Sequence, residues 1–262
     1  MSVSLYLVDS FTGMPYKGNP AAVCLLHGPA DEGWMQSVAA EMNHSETAFV
    51  YPEKSGYGIR WFTPTTEVEL CGHATLASVH VLHEVGIIKD GEDIIFHAGD
   101  VHISAKCSDG RIEMDFPTLP VDAVETPEGL VEAIGVEPVS CSANKWLLLV
   151  ELADEDAVRS FKPDFARIAA IDALCLLITA RSDSDAYDFA SRFFAPRMGV
   201  NEDPVTGSAH CSLGVYWQAR LGKSEMIGYQ ASSRGGVVGV RVEGGRTFLS
   251  GMAVTIMTGV LL

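Results

Sequence analysis

Positive charge is scarce in this sequence: 18 Lys and Arg stand against 34 Asp and Glu in 262 residues, a formal net charge of −16. A protein that binds a nucleic-acid backbone gains affinity by releasing counterions, and it needs a basic face to do so. The same deficit argues against anionic membrane surfaces as partners. A small anionic ligand stays open, because it needs only a few local donors. Long apolar runs are also missing. Stretches such as Leu174–Ile178 and Val260–Leu262 fall far short of the ~20 residues that span a bilayer. The N-terminus carries no basic segment of the kind that opens an export signal, and Leu5–Val8 reads as a strand. Paired cysteines are lacking as well. Cys24, Cys71, Cys107, Cys141, Cys175 and Cys211 form no Cys-x-x-Cys motif and match no zinc spacing, so no metal is expected. Most sit in apolar runs, where reduced thiols pack, and the cytoplasm is the expected compartment. No glycine-rich dinucleotide loop, Walker loop or nucleophile elbow occurs.

What the sequence does have is an internal repeat. Arg60-Trp61-Phe62-Thr63-Pro64 returns as Arg192-Phe193-Phe194-Ala195-Pro196. Cys71-Gly72-His73-Ala74-Thr75 returns as Thr206-Gly207-Ser208-Ala209-His210, and Gly110-Arg111 as Gly245-Arg246. The matches are collinear, and the spacing is far too long for a solenoid. Two homologous halves are expected, joined near the proline-bearing stretch Phe116–Pro127. The first domain is 1–116 plus a returning C-terminal strand 251–262, and the second is 117–250.

Both halves share one grammar. Short strands rich in Val, Leu and Phe, among them Ala21–Leu26, Thr47–Tyr51, Ile59–Phe62 and Trp146–Val150, are bounded by Gly, Pro and Asn. A helix near Asp31–Met42 follows a plausible aspartate cap. Two further helices, His73–Glu84 and Ser208–Arg220, are apolar on nearly every side, and a helix hydrophobic all round is buried all round. The expected fold is α+β: two pseudo-symmetric domains, each a strongly curved, mostly antiparallel sheet wrapped around a central α-helix.

Both central helices begin at glycine, Gly72 and Gly207. A helix N-terminus exposes unpaired N–H groups and about half a positive charge, so such a start holds an anion without any lysine. That reconciles an anionic ligand with a net charge of −16. Glu46 precedes an apolar strand in the first half, whereas Leu174 stands at about that place in the second. A carboxylate in a partly dry cleft can move protons near neutral pH; a surface glutamate at a strand edge is the bland alternative. His210 reads as a packing residue. His80 and His83 have metal-like spacing but no third ligand, so that reading is rejected.

Several segments resemble the phenazine-biosynthesis PhzF-like isomerases. These are Asp9-Ser10-Phe11, Gly18-Asn19-Pro20-Ala21-Ala22-Val23, Ser45-Glu46-Thr47-Ala48-Phe49, Cys71-Gly72-His73-Ala74-Thr75, the run Glu202–His210, and Gln230-x-Ser232-x-Arg234-Gly235-Gly236. The resemblance covers essentially the whole chain. It implies the diaminopimelate-epimerase-like fold with an active site between the domains, and a cofactor-free, homodimeric isomerase that moves a proton within a small carboxylic acid. It places the proton-moving glutamate on Glu46, supporting roles on His73 and Asp203, and substrate or anion binding on Asn19, Gly72, Thr206, Gly207 and Ser208. One departure is Ala143-Asn144, where the pattern usually has a glycine. Two rivals remain. A racemase of the same fold needs a thiol in each half, but Cys71 has Thr206 as its counterpart, which gives Cys71 a structural role. A binder of small carboxylates that has lost turnover is the other.

Overall fold

The computed structural model describes residues 2–262. The chain forms two compact units, Met1–Phe116 with Phe248–Leu262, and Pro117–Thr247. The repeat spacing groups residues 248–250 with the second half, whereas in the structure Phe248 onward belongs to the first unit.

The first unit contains β1 (Val3–Ser10), β2 (Asn19–Leu25), α1 (Glu32–Met42), β3 (Glu46–Pro52), β4 (Tyr57–Phe62), β5 (Glu67–Val68), α2 (Gly72–Glu84), β6 (Asp93–Ala98), β7 (Val101–Ser108) and β8 (Arg111–Pro117). The second runs through β9 (Asp122–Val124), α3 (Leu130–Ile134), β10 (Ser140–Ala143), β11 (Leu147–Glu151), α4 (Glu155–Ser160), α5 (Phe165–Ala170), β12 (Cys175–Arg181), β13 (Phe189–Ala195), β14 (Val200–Asp203), α6 (Gly207–Leu221), β15 (Glu225–Gln230) and β16 (Gly236–Glu243). The chain ends with β17 (Arg246–Gly251) and β18 (Ala253–Leu261).

The first sheet runs β18, β1, β2, β3, β4, β6, β7, β8, with β2–β3 and β4–β6 parallel and the other neighbours antiparallel. The second runs β9, β10, β11, β12, β13, β15, β16, with β11–β12 and β13–β15 parallel. The series of senses is therefore the same in both units. A parallel pair needs a crossover of a dozen or more residues, and each of the four crossovers contains helix: α1, α2, α4 with α5, and α6.

Each central helix is buried as its composition requires. Helix α2 buries nearly every residue from His73 to Leu82, and α6 does the same from Gly207 to Trp217. Close approach of α6 to the sheet depends on Gly214, where a Cβ would fall 2.8 Å from Val240 Cγ1 and 2.9 Å from Val242 Cγ2. A second apolar layer covers other sheet residues. Met35 and Ala39 of α1 pack with Phe49 and Phe62, and α3, α4 and α5 pack Leu130, Val158 and Ile168 with Ile178 and Phe194. Among the described residues no helix is long and apolar enough to cross a membrane.

The arginine repeat has a structural cause. Arg60 on β4 forks onto Glu67 of β5 at 2.6 and 2.7 Å, and Arg192 on β13 forks onto Glu202 of β14 at 2.7 and 3.0 Å. Bidentate guanidinium–carboxylate pairs fix geometry as well as charge. Each fastens the short strand that leads into a central helix.

Candidate active site

In the first unit the site is assembled at the start of α2. Gly18 has φ +64°, and a Cβ there would meet the Ser10 carbonyl oxygen at 2.0 Å; only glycine fits. The turn it permits sets Asn19, fully buried, opposite Ser10 at the head of β2. Ser10 Oγ donates to the His73 carbonyl at 2.8 Å, tying the end of β1 to the first turn of α2. Glu46 opens β3, in parallel register with Ala21, and is the first residue of the strand rather than the one before it.

Gly72 is the first residue of α2 and His73 the second. The imidazole is buried, and burial pushes its pKa down to about 3. It is therefore neutral at physiological pH. Its Nε2 lies 3.4 Å from Glu46 Oε2 and has no aligned hydrogen-bond partner. The contact joins a carboxylate to a neutral ring and is not a salt bridge. Glu46 itself is only partly buried, its side chain retaining 20% exposure, so the carboxylate is supported from below and still open to a ligand. His73 Nδ1 lies 3.5 Å from Cys71 Sγ. Glu46, Cys71 and His73 each place an atom within 4.8 Å of the others. Cys71 thus joins the site, contrary to the purely structural role its sequence context suggests; its position two residues before His73 was the available signal. An oxygen, sulfur and nitrogen set of this kind also suits a transition-metal ion.

The second unit builds a different constellation at the matching place. Asp203 ends β14, and Thr206, Gly207 and Ser208 form the N-cap and first two residues of α6. Thr206 Oγ1 donates to Asp203 Oδ2. Gln230, fully buried at the end of β15, clamps the loop: its Oε1 accepts from Thr206 N at 2.8 Å, and its Nε2 donates to Asp203 O at 2.8 Å and Thr206 Oγ1 at 3.2 Å. His210 is packed, as its sequence setting suggests, with Nδ1 2.8 Å from Thr206 O. Burial lowers its pKa to about 4, so it too is neutral. Thr75 does the equivalent job in α2, donating to Cys71 O at 2.6 Å.

The two central helices share with the five-residue α3 the lack of a side-chain cap and differ in this from α1, α4 and α5. Helices α1, α4 and α5 are capped by Asp31, Asp154 and Asp164, whose carboxylates accept first-turn N–H groups. Helices α2 and α6 have no side-chain cap and no acidic residue in the first turn. Their leading N–H groups and positive dipole ends are left for another acceptor.

Strand register corrects one correspondence. Phe62 opposes Thr47, and its repeat partner Phe194 opposes Leu176. The second-half counterpart of Glu46 is therefore Cys175, not Leu174. His80 and His83 do not converge: His80 Nε2 lies 3.1 Å from Thr255 Oγ1, while His83 gathers near Asp90 and Cys107.

Sheets of this series, each around a helix that opens a polar site, define an epimerase-type α+β fold. A family model described as phenazine biosynthesis-like protein (PhzC-PhzF) matches residues 8–259. An uncharacterized isomerase of Halalkalibacterium halodurans is 46% identical over 100% of this chain and 99% of its own. The crystal structure of a PhzF-family phenazine biosynthesis protein from Enterococcus faecalis superposes with a TM-score of 0.95 at 36% identity, covering 100% of both chains. A predicted epimerase of Pseudomonas aeruginosa has the same fold, with a TM-score of 0.75 at 20% identity over 99% of each chain. The chain belongs to the phenazine biosynthesis-like (PhzC-PhzF) family. Its kinship is with isomerases.

Proposed function

We propose that the protein is a cofactor-independent isomerase that moves a proton within a small carboxylic acid, with Glu46 as the group that carries it. The observation behind this reading is a partly exposed carboxylate backed by a neutral histidine at the start of an uncapped helix. Glu46 removes a proton from one carbon, holds it, and returns it at another. His73 supports the carboxylate from the buried side. An anionic group takes the place of a missing cap at each central helix: backbone donors at Gly72, helped by Asn19, bind it at the start of α2, and those at Gly207 and Ser208, helped by Thr206, form the matching anion site at the start of α6. Asp203, braced by Thr206 and Gln230, orients the substrate. General acid–base catalysis by one placed group contributes about 10²–10⁴-fold, and correct positioning contributes more. We place this activity in a cytoplasmic homodimer; the six cysteines are free and buried, which suits a reducing compartment.

The test is isotopic. The protein is incubated in heavy water with pools of small amino and hydroxy carboxylic acids, and the products are analysed for mass gain. Deuterium incorporation that disappears with Glu46→Gln is the expected result. Incorporation that survives this substitution, or binding of a carboxylate with no incorporation at all, overturns it.

A further inference from the structure

We propose that Cys71 is a positioning residue for this site: its thiol donates to Nδ1 of His73 and holds the buried ring as the Nε2–H tautomer, which puts the ring proton and not a lone pair on the side near Glu46. The consequence for catalysis rests on the role given to Glu46 above; the tautomer itself does not.

A neutral imidazole has one donor and one acceptor nitrogen, and the partners decide which is which. Nδ1 lies 3.5 Å from Cys71 Sγ, and Nε2 lies 3.4 Å from Glu46 Oε2. Two arrangements are possible. If Nδ1 carried the proton, it would donate to sulfur, a weak acceptor, and the Nε2 lone pair would face a carboxylate oxygen. That leaves a buried acceptor unsatisfied beside negative charge, a cost of kilocalories in a dry site. If the thiol donates instead, Nδ1 accepts, and Nε2–H lies beside the carboxylate at 3.4 Å, not aligned as a hydrogen bond but with positive hydrogen near negative charge in place of a lone pair.

The backbone keeps the pair in place. Cys71 is the extended N-cap of α2, with φ −142° and ψ 107°. Its carbonyl is held by Thr75 Oγ1 and that of His73 by Ser10 Oγ. The pairing belongs to one half alone. In the second unit the corresponding hydroxyl, on Thr206, goes to Asp203.

Fixing the tautomer matters for the proton's route. A ring already protonated at Nε2 cannot accept the proton that Glu46 has taken up. That proton stays on the carboxyl and is returned to the substrate instead of leaking into the protein.

The experiment reads the ring directly and needs no substrate. In the 15N-labelled full-length protein, long-range 1H–15N correlations report which ring nitrogen is protonated, and His73→Gln assigns the signals. The expected result is an unprotonated Nδ1 and a protonated Nε2 in the wild type. Glu46→Gln, which removes the charge that also favours this state, should keep it. Glu46→Gln with Cys71→Ser should keep it too, while Glu46→Gln with Cys71→Val should give a mixture or the opposite tautomer. A protonated Nδ1 in the wild type or in Glu46→Gln overturns the proposal, as does an unchanged ring in the valine double variant. If the valine variant does not fold, Glu46→Gln with Cys71→Ala takes its place, with the same result expected and the same unchanged ring overturning the proposal. Failure of the deuterium assay would remove the role of Glu46 and leave this result standing, so the two are separable.

Discussion

Moving from pH 7 to pH 5 should destabilise this protein through two buried imidazoles, by an amount that does not depend on how far their native pKa values fall. Burial holds His73 at about 3 and His210 at about 4, against 6.5 for an unperturbed histidine. Above 6.5 neither state of the protein binds the extra proton. Below it the unfolded chain does and the native state does not, so acid favours unfolding, and the loss continues until the native pKa is reached. At pH 5 both native values lie lower still, so the loss per ring is set by the 1.5 units below the unfolded value. At ~1.4 kcal/mol per unit this is about 2 kcal/mol for each histidine. His80 is lowered by burial as well and adds in the same direction. The assay is urea unfolding at pH 7 and pH 5 for the wild type, His73→Gln and His210→Gln. Each variant should lose about 2 kcal/mol less than the wild type between the two pH values, whatever its stability at pH 7. If either loses as much as the wild type, that ring is not held neutral, and the reading of its surroundings is wrong.

Glu46→Gln keeps shape and hydrogen bonding but cannot take the proton, so turnover of an identified substrate should fall ~100-fold or more with binding retained, measured by heavy-water exchange and ligand titration. Asp203→Asn should weaken binding and rate together, visible as changes in both KM and kcat. Gln230→Leu removes the loop clamp and leaves the buried Thr206 N–H without its acceptor; a loss of ~2–4 kcal/mol is expected in denaturant melts, with wild-type stability refuting the clamp. Gly214→Val forces a side chain into the contact with Val240 and Val242 and should cost ~1–3 kcal/mol or more, read by thermal melting.

How much of this was legible beforehand depended on whether a feature was local. The two central helices could be read because they lack a polar face, and the repeat because its motifs sit at helix starts and strand ends. The start of α1 was legible from Asp31, which does accept from Trp34 N. Helices α3, α4 and α5 were not, since each spans only five or six residues, too short for a helical period to register. The parallel pairings were hidden too, because strand partners are set by crossovers and not by the composition of any one strand. Among the site residues, Asn19, Glu46, Gly72, His73, Asp203, Thr206, Gly207 and Ser208 came from motifs. The Cys71 contact and the Gln230 clamp did not. The clamp joins elements distant in sequence, which no spacing rule reports, and the Cys71 contact had only its place two residues before His73 as a signal.

The most informative feature of the repeat is where it breaks. The sheet series, the uncapped helix starts and the arginine–glutamate clasps are shared, so the scaffold has been kept in both halves. The reactive positions have not. Glu46 corresponds to Cys175, Cys71 to Thr206, and His73 to Ser208. The Cys175 thiol is pushed up to about 11 by burial and by the charge of Asp203, so at neutral pH it is protonated and cannot serve as a base. Thr206 and Ser208 offer hydroxyls, which are weaker bases still. A racemase needs a second basic group to return the proton on the opposite face of the carbon, and the second half supplies none at the equivalent places. A shift of a proton along one face needs a single carrier and, beyond it, donors that hold the substrate still. The proposed shift along one face asks for a single carrier, and Glu46, which has no basic counterpart at the equivalent place in the second half, meets that demand.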